Sequence, residues 1–124
     1  MSRGAKNTQL GRWGEELAAD YLKRKGYRLI ASQWRCRFGE IDLIMQNRDF
    51  LVFVEVKLRK NTAIACAREF VDYRKQEKLC TSASLYLAWH PDSRQTRFDV
   101  VEIYAPQEMN TKTPEIHHLE NAFG

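Results

Sequence analysis

The chain predicts a small α/β domain, a mixed β-sheet flanked by helices in the order α-β-β-β-α-β with room for an extra C-terminal strand. Three observations carry this. Apolar residues recur at steps of three and four in two stretches, residues 9–25 and 72–89, as on one face of a helix. Between them lie short runs rich in apolar and β-branched residues, the strand signature. At 124 residues, 44% hydrophobic and 29% charged, the chain suits a single domain, 1–124, with one core.

Residues 1–8 are polar and expected to fray. Leu10, Trp13, Leu17, Ala18, Tyr21 and Leu22 then mark a helix over 9–25, and Gly26 stops it behind the cations Lys23, Arg24 and Lys25. Gly14 sits within the apolar stripe, where a missing side chain lets the helix approach a sheet. Glu16 falls on the solvated face with Arg12, Asp20 and Lys23, whereas Glu15 falls at the edge of the buried stripe with Ala18, Ala19 and Leu22. Residues 27–37 read as a strand and Phe38-Gly39 as a turn. Gly39-Glu40-Ile41-Asp42-Leu43-Ile44 and Leu51–Leu58 read as two strands of an antiparallel hairpin joined through the polar Gln46-Asn47-Arg48-Asp49. Residues 59–71 lack periodicity and read as a loop able to ride over a substrate. A second helix is expected from Asp72, a good N-cap, to Trp89, with Leu79, Ala83, Tyr86 and Leu87 inward. Arg97–Tyr104 reads as a strand, and Ile116–Phe123 as a short edge strand. His117 and His118 have no metal-ligand spacing and read as structural or exposed.

The longest apolar run, Phe50–Val54, is far too short to span a membrane, so no membrane association is expected. The first residues carry no apolar segment after their basic positions, so no secretory signal is expected. Cys36, Cys66 and Cys80 are odd in number and widely spaced, which suits neither a disulfide framework nor a zinc site and fits a reducing cytoplasm. The net charge of +4 is unevenly spread. Residues 1–40 hold nine Lys/Arg against four Asp/Glu, and residues 98–124 hold one against five. A basic front half is the electrostatic footprint expected for a polyanion partner.

The chemistry concentrates in the central hairpin. Alternate residues of a strand share a face, so Glu55 and Lys57 lie side by side opposite Val52, Val54 and Val56, and Asp42 comes within reach from the neighbouring strand. An ordinary Glu–Lys pair on a solvated face is the plain alternative. Two carboxylates and an ammonium inside an apolar run are nevertheless costly, and a divalent cation is a physical reason to assemble them.

Helix-borne Gly14-Glu15, then Gly39-Glu40-Ile41-Asp42-Leu43-Ile44, Phe53-Val54-Glu55-Val56-Lys57, Arg97-Phe98-Asp99-Val100 and Asn121-Ala122-Phe123 together resemble the YraN family of bacterial proteins. That family is similar to archaeal Holliday junction resolvases and to the PD-(D/E)xK nuclease superfamily, with Ile41 standing where the superfamily's name has proline. The resemblance implies a restriction-endonuclease-like core and Mg²⁺- or Mn²⁺-dependent hydrolysis of DNA phosphodiesters, branched Holliday-junction-like DNA included. It makes Asp42 and Glu55, with the Val56 carbonyl, the metal ligands, Lys57 the catalytic lysine and Glu15 a helix-borne acid of the site. Arg35, Arg37, Arg59, Arg68 and Lys75 become candidate phosphate contacts, and a two-fold homodimer is implied. The competing expectation is a non-catalytic nucleic-acid-binding module that keeps the fold.

Overall fold

A computed structural model of the chain describes residues 2–60 and 73–123. The elements are α1 (Ser2–Arg24), β1 (Arg28–Cys36), β2 (Gly39–Gln46), β3 (Phe50–Arg59), α2 (Tyr73–Trp89), β4 (Gln95–Tyr104), a 3-10 turn (Glu108–Asn110) and β5 (Glu115–Phe123). They form one sheet in the order β1-β2-β3-β4-β5, with β3 and β4 parallel and the other neighbours antiparallel. The α/β class, the element order and the extra C-terminal strand agree with expectation. The first helix is longer than its apolar stripe suggests, beginning at Ser2 rather than Gln9. The helix start expected at Asp72, and most of the loop expected at 59–71 with its Arg68, lie outside the described residues; β3 itself continues to Arg59.

The helices close opposite faces of the sheet. Ala18, Ala19 and Leu22 of α1 pack with Leu43, Met45, Val52, Val54, Val101 and Ile103. Leu79, Ala83 and Tyr86 of α2 pack with Ile41, Ile44, Leu51, Phe53 and Val100. β3 is therefore buried on both sides, which is why Phe50–Val54 reads as a continuous apolar run rather than an alternating one. Each such fully buried aliphatic or aromatic side chain contributes roughly 1.5–3 kcal/mol.

The end of α1 follows from its sequence. Gly26, at φ +100, takes the left-handed position that ends a helix cheaply. Its N–H donates to the Lys23 carbonyl at 3.0 Å and that of Tyr27 donates to the Leu22 carbonyl at 3.0 Å, the paired bonds of a Schellman cap. Leu22 and Tyr27 share the same core cluster and complete its apolar contact. Gly14 meets the expected close approach: a Cβ there would stand 3.1 Å from the Leu58 side chain.

A polar knot binds β5 to the rest. Asp99 is fully buried. It accepts from Arg97 at 2.8 and 2.7 Å, faces His118 Nε2 at 2.6 Å, and accepts the Asn121 backbone N–H at 3.0 Å where the β4–β5 register slips. Burial alone would raise the Asp99 pKa, but the His118, Arg97 and Asn121 donors outweigh it and the pKa falls below the ordinary carboxylate value. His118 is structural, as expected, with its side chain almost wholly buried.

Candidate active site

The site is made by a parting of strands. β2 and β3 pair in register from Gln46↔Leu51 to Leu43↔Val54 and no further. β1 stays with β2 as far as Cys36↔Gly39, so the β1–β2 pair leaves β3 as a unit. Strict alternation would put Ile41 on the face of Leu43 and Met45, yet Ile41 packs with Ile44 beneath α2, so β2 turns about Asp42. Where the ladder stops, the Asp42 side chain replaces it: Oδ2 accepts the Val56 N–H at 2.8 Å. A strand residue's N–H and C=O point to the same side, so the Val56 carbonyl faces this opening too.

Glu55 lies at the same opening and is 4% exposed, because α2 covers the face of β3 opposite Val52 and Val54 as well. Its Oε2 is held at 2.5 Å by Nζ of Lys75, which reaches in from the first turns of α2. Lys57 follows on the same face of β3, half-buried. Glu15, half-buried on α1, lines a groove of about 370 Å³ together with Arg12, Ser32, Gln33 and Leu43. That groove adjoins the opening without including Asp42, Glu55 or Lys57 in its lining.

The electrostatics tie these groups into one unit. Burial, and then the charge of Glu55, push the Asp42 pKa up to about 7, against the opposing bond from the Val56 N–H. Burial also raises Glu15, with the charges of Glu40 and Glu55 adding to it and the Gln33 side chain pulling it down. The Lys57 pKa is lowered by burial and then by the neighbouring charge of Lys75, while Glu55 works the other way.

The donor set fits a hard divalent ion. Asp42, Glu55 and the Val56 carbonyl offer oxygen, which suits Mg²⁺ or Mn²⁺ better than zinc. Among the described residues no group of three or more His, Cys, Asp or Glu side chains is close enough to hold a metal. Two carboxylates plus a carbonyl suit an ion that keeps several waters.

The cationic candidates divide. Arg35 is exposed, in loose contact with Glu40 at 3.4 Å. Arg37 lies over the Phe38 ring at 4.9 Å on the β1–β2 turn. Arg59 is drawn into the sheet by Glu102 at 3.3 Å, its side chain mostly covered. Arg68 lies outside the described residues, and Lys75, half exposed, is set on Glu55. Gln33, with φ +51 and cross-strand from Asp42, was not anticipated; a polar residue in the middle of a strand was its only signal.

Comparison with known proteins agrees with the motifs. The family model described as "Uncharacterised protein family UPF0102" matches residues 14–103, which span the site from Glu15 through β4. A UPF0102 protein of Syntrophomonas wolfei is 42% identical over 118 residues, covering 94% of this chain and 99% of its own. One from Stutzerimonas stutzeri is 44% identical over 115 residues (91% and 92%), and one from Pseudomonas syringae 48% over 101 residues (77% and 79%). Its family match and these relatives place the chain in UPF0102, the family that its GEIDLI and FVEVK blocks announce.

Proposed function

We propose that the protein is a divalent-metal-dependent nuclease that hydrolyses DNA phosphodiester bonds, branched Holliday-junction-like DNA among its substrates. One observation carries the reading: Asp42 and Glu55 converge where β2 leaves β3, with Lys57 on the same strand face as Glu55. Mg²⁺ or Mn²⁺, held by Asp42, Glu55 and the Val56 carbonyl, would neutralise phosphate charge and make a bound water nucleophilic. The protein's own part is positioning and proton handling. The Asp42–Val56 bond fixes the carboxylate at the mouth of the opening. Lys57, its pKa lowered by burial and by Lys75, holds a proton less tightly than an exposed lysine and can exchange one with the attacking water at Nζ. Glu15 orients that water from the α1 side. Arg35 and Arg37 on the exposed rim supply phosphate contacts that set register without reading sequence.

The test is cleavage of labelled four-way junction, flap, single-stranded and duplex DNA, with RNA alongside, in Mg²⁺ or Mn²⁺. Asp42→Asn and Glu55→Gln are each expected to lower the rate at least about 100-fold, the scale on which even indirect support of a metal ligand acts. Equal cleavage by parent and Asp42→Asn would refute the assignment. One observation favours the non-catalytic alternative: both acids already have a partner within the chain, Asp42 in Val56 and Glu55 in Lys75. Salt-sensitive DNA binding without cleavage, unchanged in Asp42→Asn, would select it.

A further inference from the structure

The Lys75–Glu55 pair has an asymmetry that a purely structural ion pair does not need. Glu55 is sealed, its side chain 5% exposed, whereas that of Lys75 is 48% exposed. A carboxylate so buried is costly unless a positive group stands against it, and here the Lys75 ammonium does so at Oε2. This lysine stands on the exposed first turn of its helix. α2 is fastened to the sheet by Leu79, Ser82, Ala83 and Tyr86, while Tyr73, Arg74 and Lys75 of its first turn are exposed. Its four-carbon stem can therefore withdraw the ammonium without unpacking the helix. Position points the same way. Nζ of Lys75 occupies the side of Glu55 Oε2 that a divalent ion bound by this carboxylate would need, so the two compete for one oxygen. Withdrawing Lys75 to an incoming phosphate frees that oxygen and supplies the phosphate with a cation.

We infer that Lys75 is the resident counter-ion of the site: it neutralises Glu55 until a divalent cation takes its place, and the displaced ammonium then meets the substrate phosphate. This rests on the nuclease reading above and adds to it a positioning residue that both competes with the metal and serves the substrate. It also gives a reason for the ammonium to sit on Glu55 instead of at the surface, where a dedicated phosphate contact would stand.

The experiment is calorimetric titration of Mn²⁺ into metal-free parent, Lys75→Met and Lys75→Gln, with thermal unfolding of each in EDTA and in saturating Mn²⁺. Removing the competitor is expected to tighten Mn²⁺ binding by about 5-fold or more in both variants, the scale of an ordinary coupling between two ligands. Both are expected to melt below the parent in EDTA, Lys75→Gln the less so because its amide still donates to Glu55, and to regain the difference in Mn²⁺. Slower cleavage despite tighter metal binding completes the expected pattern. Mn²⁺ affinity equal to or weaker than the parent's, or a melting deficit that persists in saturating Mn²⁺, would show Lys75 to be a structural brace and overturn the inference. The Asp42→Asn variant identifies the heat as belonging to this site. A parent that binds no Mn²⁺ overturns the metal reading, and this inference falls with it. A parent that binds while the variants gain nothing overturns this inference alone.

Discussion

At neutral pH Asp42 stands near the midpoint of its titration, because burial and the charge of Glu55 lift its pKa from 3.8 to about 7. The sign of the consequence is fixed by linkage. A carboxyl whose pKa is higher folded than unfolded binds its proton more tightly in the native state, so its contribution is most favourable below about pH 4 and is lost as pH rises through about 7. Asp42→Asn keeps an oxygen for the Val56 N–H and removes the penalty. It is therefore expected to melt roughly 5 °C or more above the parent at pH 8 and close to it at pH 4, as scanning calorimetry in EDTA would read. Mg²⁺ should raise the parent's melting temperature at pH 8 more than at pH 5, since the ion competes with a proton for the same carboxylate. Asp99 is the opposite case, held ionised by Arg97, His118 and Asn121. Asp99→Ala strands the Arg97 guanidinium, itself nearly buried, and is expected to cost about 3–5 kcal/mol in denaturant unfolding without touching the opening at Asp42.

At the scale of the element, two glycines of α1 make a controlled pair. A Cβ at Gly11 would meet nothing within 4 Å, whereas one at Gly14 would meet Leu58 at 3.1 Å. Gly11→Ala is expected to stabilise by up to about 1 kcal/mol through helix propensity alone. Gly14→Val, with two further carbons against Leu58, is expected to lower stability by about 1–3 kcal/mol and to loosen α1 where it carries Glu15. These elements were largely legible in the sequence because the signals are local: the cap at Gly26, the polar turn at residues 46–49 and the apolar periods of both helices. Glu55 and Lys57 were legible for the same reason, since strand parity places side chains without further information, whereas Asp42 was legible only as a residue of the adjacent strand, because β2 turns there. The break in the β2–β3 ladder was not, because it depends on β1 and β2 leaving together. The Lys75–Glu55 pair was not either, since only the docking of α2 brings the two into contact. Arg97 and Asp99 have the same two-residue spacing on a strand as Glu55 and Lys57 and were open to the same reading; their partner His118, nineteen positions beyond Asp99, was not.

For the whole molecule, the strand order converts a gradient along the chain into one across it. β1, with Arg28 and Arg35, is one edge of the sheet; β5, with Glu115 and Glu120, is the other, about 19 Å away at ordinary strand spacing. A polyanion would therefore meet the more basic edge at β1, which carries Arg35 and leads into Arg37 on the β1–β2 turn. Charge reversal at Arg35 and Arg37 together is expected to weaken DNA binding and to flatten its dependence on salt by about one unit of slope per lost phosphate contact. Reversal at Glu115 should leave that slope unchanged, with fluorescence anisotropy across a salt series as the readout. Among the described residues no helix is long and apolar enough to cross a membrane.

The bond from the Val56 N–H to Asp42 has a practical consequence. Most amides of β3 are locked to other backbone, so their exchange with heavy water reports only the opening of the sheet. This one is locked to a group that titrates. Its proton resonance and its exchange rate therefore follow the ionisation of Asp42 and the carboxylates coupled to it, and one peak in an amide spectrum becomes a gauge of whether the site is protonated or charged.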